Sequence, residues 1–281
     1  MIIRLMSNKD IEFAFECTRS VGWASSSPEV FQGYLEYDPE GCFIAEENNH
    51  AVGLCVATRY KNTGFIGELI VEQSMRGRGI GGALFRQAML YLHNCNIRVI
   101  YLDGELSAVP IYEKYGFSKQ CLSLRFIGKP ALHSDLKVRQ AALSDMAALV
   151  ELDLHAFGDD RSFFLKRLFS MYPHYCLVGE HNNSITGFIM GRPGQHLVTA
   201  GPIVISDNSI DPGFLLSGLA RQTGAQPLRI GVLESNQAAV DYFRSTCSFQ
   251  EQPPCLRMVW GVPDKTGAPE MLFANGSGAK G

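Results

Sequence analysis

Residues 71–91 read V-E-Q-S-M-R-G-R-G-I-G-G-A-L-F-R-Q-A-M-L-Y. The apolar run Leu69-Ile70-Val71 feeds a turn rich in arginine and glycine, and the turn opens into a helical pattern with Ile80, Leu84, Ala88 and Tyr91 on one face. Such a turn suits an anion. Arg76, Gly77, Arg78, Gly79, Ile80, Gly81 and Gly82 can bring successive backbone N–H groups close to a phosphate. Glycine puts no Cβ in the way, and a helix start adds favourable partial charge. The form Arg76-x-x-Gly79-x-Gly81 lacks the G-K-[ST] ending of an ATP-binding P-loop. It also lies far from the N-terminus, where a dinucleotide-binding fingerprint usually opens its domain.

The surrounding chain narrows the function classes. At 281 residues, 46% hydrophobic and 19% charged, it has the size and composition of two globular domains. A net charge of -3 supplies no broad basic field for nucleic acid or anionic lipid, the arginines near position 76 being a local exception. The first ten residues carry no signal-peptide apolar region and no run approaches a membrane span, so a soluble, cytoplasmic protein is expected. Eight cysteines without a C-x-x-C spacing read as reduced, buried thiols. Seven histidines without an H-x-x-x-H pair give no support to a metal site.

The loop resembles the pyrophosphate loop of the GNAT superfamily, the acetyl-CoA-dependent N-acyltransferases, whose signature is Q/R-x-x-G-x-G/A. Further stretches resemble the same family in the same order: Leu69-Ile70-Val71 before the loop, Val99-Ile100-Tyr101-Leu102-Asp103 after the helix, then Pro110-Ile111-Tyr112-Glu113-Lys114-Tyr115-Gly116-Phe117. A tandem branch of the family carries G-W after its first helix, here Gly22-Trp23, and L-D-A-T-x-x-G-x-P-L-Y later. This chain departs from the second pattern, reading Leu102-Asp103-Gly104-Glu105 at its start. The resemblance implies acetyl-CoA as co-substrate. Its binding residues would be Leu69, Ile70 and Val71, whose main chain holds the pantetheine, the loop from Arg76 to Gly82, and Asp103, Ser107, Pro110 and Tyr112.

The chain also says nearly the same thing twice. Cys42-Phe43-Ile44-Ala45-Glu46-Glu47-Asn48-Asn49 returns as Cys176-Leu177-Val178-Gly179-Glu180-His181-Asn182-Asn183, each reading as a hairpin with an Asn-Asn turn. Arg4 and Asp10 return as Arg139 and Asp145 at nearly the same spacing. So long a period means duplicated domains. Each half reads as strand, one or two helices, hairpin, strand, helix, strand, helix, strand. The expected fold is mixed α/β, two tandem GNAT folds, each a central mixed sheet flanked by helices. Residues 1–128 form the expected catalytic domain and 135–263 a degenerate copy, with 264–281, rich in Gly and small residues, expected to be a disordered tail. The copy is expected to bind no CoA, because Asp207, Asp211 and Pro212 stand where the first half has its basic glycine turn. Asp159, Asp160 and Arg161 are expected at an interdomain wall, as simple surface pairing.

Acyl transfer from a thioester needs a neutral amine and a proton for the departing thiolate, and direct transfer requires no covalent enzyme nucleophile. The resemblance makes Tyr112 the acid that protonates the sulfur; a packing role in the core is the competing reading, and Tyr115 is assigned to packing. Glu68 lies on the strand facing the acceptor, where it reads equally as general base, substrate anchor or solvated edge charge. Strand alternation puts Glu68 and Ile70 on one face, Leu69 and Val71 on the other. The acceptor pocket is expected to involve Trp23 and the neighbouring Ser25 to Ser27. The expected reaction is acetylation of a small-molecule primary amine by direct attack in a ternary complex. The rival readings are a non-catalytic acyl-CoA sensor or scaffold and an acetyltransferase for protein N-termini or lysines. The acceptor's identity and the oligomeric state are not legible in the sequence.

Overall fold

The computed structural model describes residues 1–23, 27–134, 137–194, 196–207, 209–246, 248–263 and 267–281. The first half runs β1 (Ile2–Leu5), α1 (Ile11–Ser20), α2 (Pro28–Tyr37), β2 (Cys42–Glu47), β3 (His50–Arg59), β4 (Thr63–Val71), α3 (Ile80–Asn94), β5 (Val99–Glu105), α4 (Val109–Glu113) and β6 (Ser118–Gly128). The second half repeats it as β7 (Val138–Gln140), α5 (Met146–Phe157), α6 (Ser162–Met171), β8 (Cys176–His181), β9 (Ser184–Pro193), β10 (Val198–Ile205), α7 (Pro212–Gln222), β11 (Leu228–Leu233), α8 (Gln237–Ser245) and β12 (Phe249–Trp260). A last strand, β13 (Leu272–Ala274), has no counterpart in the first half.

Local chemistry explains the repeated parts. Asn48 and Asn49 take φ of 51° and 63°, and Asn182 and Asn183 take 50° and 63°. Asparagine tolerates this left-handed region, so both hairpins turn within two residues. Before each pair of helices an arginine links a strand to a helix entry. Arg4 donates to both Asp10 oxygens at 2.8 Å and to Glu46 at 2.6 Å. Arg139 binds Asp145 and Glu180 in the same way.

All the strands join one sheet, in the order β1-β2-β3-β4-β5-β12-β6-β11-β10-β9-β8-β7, with β13 beside β10. The halves exchange their last strands. β12 lies antiparallel between β5 and β6, and β6 pairs with β11. Cores follow the exchange: Leu124 and Phe126 of β6 are buried with Phe243 and Leu215 of the second half, while Met258 of β12 is buried with Leu84 and Phe85 of α3. The border after residue 128 thus marks a boundary in the chain but not in the packing.

The parallel ladder of β4 with β5 covers only Thr63–Phe65 against Val99–Tyr101, and beyond it the two strands part. The equivalent ladder of β10 with β11 also spans three residues. There the second notch is filled by β13, which pairs with β10 at Ile203 and Val204 and is anchored by Asn275 N–H to the Gly231 carbonyl at 2.8 Å. This corrects the expectation of a disordered tail for residues 267–281, while 264–266 lie outside the described residues. Met271, Leu272 and Phe273 are buried against the second core, and their removal from water outweighs the flexibility of the small residues around them.

Candidate functional site

The loop expected to hold a diphosphate sits at the start of α3. Gly77 and Gly79 take φ of 77° and 79°, and Gly79 is the residue that caps the helix. A Cβ added at either would meet nothing within 4 Å, so the space in front of the loop is open. The first N–H groups of an α-helix have no partner inside it, and no side chain caps this helix start. Arg76 Nε donates to the Val71 carbonyl at 3.0 Å, and Arg78 grips Glu47 through two contacts of 2.8 Å. Both arginines thus brace the loop. Tyr115 packs on Phe85, and its hydroxyl reaches the Gly82 carbonyl at 3.4 Å.

Beside the loop, Leu69, Ile70 and Val71 lie on the stretch of β4 that has left β5, where main-chain groups face the notch. One bulge in β4 decides where its side chains point. Gly67 pairs with Val56 and Ile70 with Leu54, so an extra residue is inserted opposite Cys55, and Glu68 adopts φ of 51°. Ile66 packs toward α3, but after the bulge Glu68 and Ile70 emerge on the opposite side, with α1 and α2. The expected alternation of Glu68 and Ile70 against Leu69 and Val71 is present. The bulge sets its phase. Glu68 is only 3% exposed and accepts from the Tyr34 hydroxyl at 3.4 Å. Burial, with Glu68 beside it, pushes the Tyr34 phenol well above its ordinary pKa.

Tyr112 stands on α4, which Pro110 helps to start. Its ring packs on Phe85 at 5.3 Å between centroids and lies over Gly104, where a Cβ would come within 2.6 Å of Cε2. Gly104, one of the departures from the tandem-branch pattern, therefore makes room for this ring. Burial raises the Tyr112 pKa, and Cys55, Cys255 and Glu105 reinforce the shift. The phenol holds its proton across neutral pH.

On the far side of β4, a cavity of ≈ 310 Å³ opens between the halves and includes Trp23, Glu68, Asp103, Arg125, Arg192 and Arg229 in its wall. Trp23 and Glu68 are brought together there, while Ser25 and Ser26 lie outside the described residues. Asp103 lies on the cavity side of the sheet rather than beside the loop. The Asp103 carboxylate faces this cavity, accepting from Ser123 Oγ at 2.8 Å and paired with Arg257 of β12, and Ser107 is exposed. Asp159 is no surface partner, contrary to expectation. It is 2% exposed and accepts from the N–H groups of Asn62 and Thr63 at 2.9 and 2.8 Å, tying the β3–β4 turn to the second half. Arg161 forms a buried pair with Asp153, at 2.7 and 2.8 Å. The chain after β13 enters the same cavity, passing so close to Gly67 that a Cβ there would lie 2.3 Å from the Ala279 carbonyl oxygen. Sequence reading missed this segment; its small residues, needed for that close passage, read as disorder.

In the second half, Asp211 caps α7, its carboxylate accepting from Gly213 N–H at 2.7 Å. At the equivalent helix start of the first half the capping residue is Gly79, with no side-chain cap. Among the described residues no three His, Cys, Asp or Glu side chains gather as a metal site, and no helix is long and apolar enough to cross a membrane.

Comparison with known proteins agrees with this geometry. The profile described as the Acetyltransferase (GNAT) family matches residues 8–117, and one described as an Acetyltransferase (GNAT) domain matches residues 149–274. An uncharacterized N-acetyltransferase of Methanocaldococcus jannaschii is 30% identical over 110 residues, 39% of this chain and 70% of the relative. A putative acetyltransferase from Pyrococcus horikoshii superposes with a TM-score of 0.83 at 24% identity, covering 100% of this chain and 95% of that one. A tandem GNAT protein from the clavulanic acid biosynthesis pathway gives 0.66 at 13% identity, covering 94% and 99%. These two structural likenesses concern the fold.

Proposed function

The chain belongs to the GNAT acetyltransferases, with two GNAT domains in tandem, and we propose that its first half transfers an acetyl group from acetyl-CoA to a small primary amine held between the halves. The observation that carries the reading is the parted pair β4 and β5, flanked by the open glycine loop, by Tyr112, and across the sheet by Glu68. Acetyl-CoA would supply an activated acyl group as a thioester. The glycine loop would take its diphosphate through main-chain N–H groups, and the edge of β4 from Leu69 to Val71 would hold the extended pantetheine.

Tyr112 is suited to give a proton to the leaving sulfur, because a phenol is protonated at neutral pH and its ring is held in place by Phe85 and Gly104. Glu68 is suited to accept the amine's proton or to anchor the amine, because the bulge turns its carboxylate into the cavity. A main-chain N–H near Val71 would polarise the thioester carbonyl. The cavity's ≈ 310 Å³ favours a small acceptor, near the lower end of ligand sites of about 300–1,000 Å³. The second half serves as a wall: Asp211 caps its helix and β13 fills its notch, so one CoA per chain is expected.

Release of CoA thiol across an amine panel tests the reading. Tyr112→Phe should lower kcat by roughly 10²-fold with little change in the Kd for CoA. An equal loss of binding makes Tyr112 a packing residue. CoA binding without transfer to any amine supports the sensor instead.

A further inference from the structure

We propose that Lys280 is an acetyl acceptor built into the chain, its ε-amine being acetylated by the site of the same molecule. The inference rests on the function proposed above and names an amine beside that cavity: Lys280 lines the adjoining pocket, whose wall shares Val30, Arg192 and Gly276 with it. After β13 the chain crosses the main chain of β4 at Gly67, and Lys280 follows the residue in closest contact there. Tyr60 holds the segment by donating its hydroxyl to the Lys280 carbonyl. Lys280 Nζ lies 4.6 Å from the centre of the Tyr34 ring and 5.1 Å from that of Phe164. Tyr34 is also the donor to Glu68. Amine, carboxylate and the bulged edge of β4 therefore form one cluster, and the rotatable lysine stem lets Nζ swing from the rings toward that edge.

The surroundings also set the charge of the amine. Tyr34 faces it from α2, Glu68 from β4, Arg167 from α6, Arg161 from the turn before α6, Arg192 from β9, and Tyr60 lies after β3. Burial lowers the Lys280 pKa to about 7, Arg192 adding to the shift, Glu68 opposing it, and Arg167 and Arg161 contributing. A large fraction is then the neutral nucleophile at pH 7, whereas an exposed lysine, with a pKa of about 10.4, is almost wholly protonated.

The step balances as ordinary acyl transfer. Lys280 Nζ forms a bond to the acetyl carbon as the carbon–sulfur bond of acetyl-CoA breaks. The sulfur leaves with the electron pair and takes a proton from Tyr112, while Glu68 takes one from the nitrogen. The products are Nε-acetyl-Lys280 and CoA thiol. Acetylation leaves a permanently neutral amide beside the cavity, with Gly278 and Ala279 of the same segment in its wall, so external amines compete with this segment until it withdraws.

The test incubates the full chain with acetyl-CoA and maps acetyl groups by peptide mass spectrometry, with an external amine panel run in parallel. Lys280 should be labelled at least about tenfold faster than exposed lysines such as Lys9 and Lys129, as expected for a held reactant. The rate should be independent of protein concentration and should rise with pH through about 7. Lys280→Arg should lose this label and still bind CoA. Labelling that scales with protein concentration, or that treats Lys280 as any exposed lysine, overturns the proposal. Transfer to external amines without label at Lys280 overturns it while leaving the proposed function standing; faster transfer by Lys280→Arg would then make the segment a plug. Neither label nor external transfer, with CoA bound, overturns both.

Discussion

Gly79→Asp puts the diphosphate assignment at risk, and Gly79→Ala is its control. Gly79 has φ of 79° and nothing within 4 Å of an added Cβ. Either side chain therefore fits the protein sterically, and the left-handed backbone costs alanine about 1–2 kcal/mol and aspartate somewhat less, a term in folding stability that acts on free and bound protein alike. A difference between them in CoA affinity must come from charge and bulk in the open space. One carboxylate about 4 Å from one phosphate charge costs about 1 kcal/mol in water and about 4 kcal/mol at an effective dielectric constant of 20. Gly79→Asp should thus bind CoA roughly 5- to 10³-fold more weakly than Gly79→Ala. The gap should narrow as salt screens the pair, whose Debye length falls from about 30 Å at 0.01 M to about 3 Å at 1 M. Calorimetric titration at two salt concentrations reads both quantities, and the unsubstituted chain should give one site. Equal affinities for the two variants at low salt, with native circular dichroism, would refute the assignment.

Two further substitutions probe the parts that set the site. Gly104→Ala puts a methyl 2.6 Å from Tyr112 Cε2, so the ring must move; kcat should fall toward the Tyr112→Phe value, at a stability cost of about 1–3 kcal/mol. CoA-thiol release with thermal unfolding measures both, and wild-type kcat would show that ring position is immaterial. Asp159→Ala strands the N–H groups of Asn62 and Thr63, and should lower stability by about 3 kcal/mol. A denaturant midpoint unchanged from the parent would mean that the clasp carries no stability.

What was legible in the sequence was local. The glycine loop, the helix after it and the Asn-Asn hairpins depend on neighbours within a few residues, and each occurs where the pattern put it. Tyr112 could be proposed from its motif, but Gly104 gained meaning only through the ring that lies over it. The bulge at Glu68 left no mark, since a period of two says nothing of a glutamate at positive φ. Pairing across the halves was illegible for a related reason: β6 and β12 each mix polar and apolar residues in a pattern that fits either half, and partner choice is made by packing remote in sequence. In the last stretch, composition and pattern conflicted. Gly276, Ser277 and Gly278 argued for disorder, whereas Met271-Leu272-Phe273 was a short apolar run able to form a strand.

The strand exchange also explains how a second half whose notch is filled can be retained beside a first half whose notch is open. Cutting the chain near residue 130 would strip β6 from the second core, where Phe126 stacks on Phe243 at 5.3 Å, and β12 from the first, where Met258 is fully buried. Neither half then has a complete sheet, so selection on the first site maintains the second fold whether or not that fold binds anything. Freed of a ligand, the second notch can take β13. Asn275, directly after that strand, is bonded to Gly231 in the wall of the shared cavity, and so the residues that follow are delivered to Gly67 and Tyr34. The same strand that fills the second notch thus leads the chain to Lys280, beside the acceptor cavity proposed for the first half.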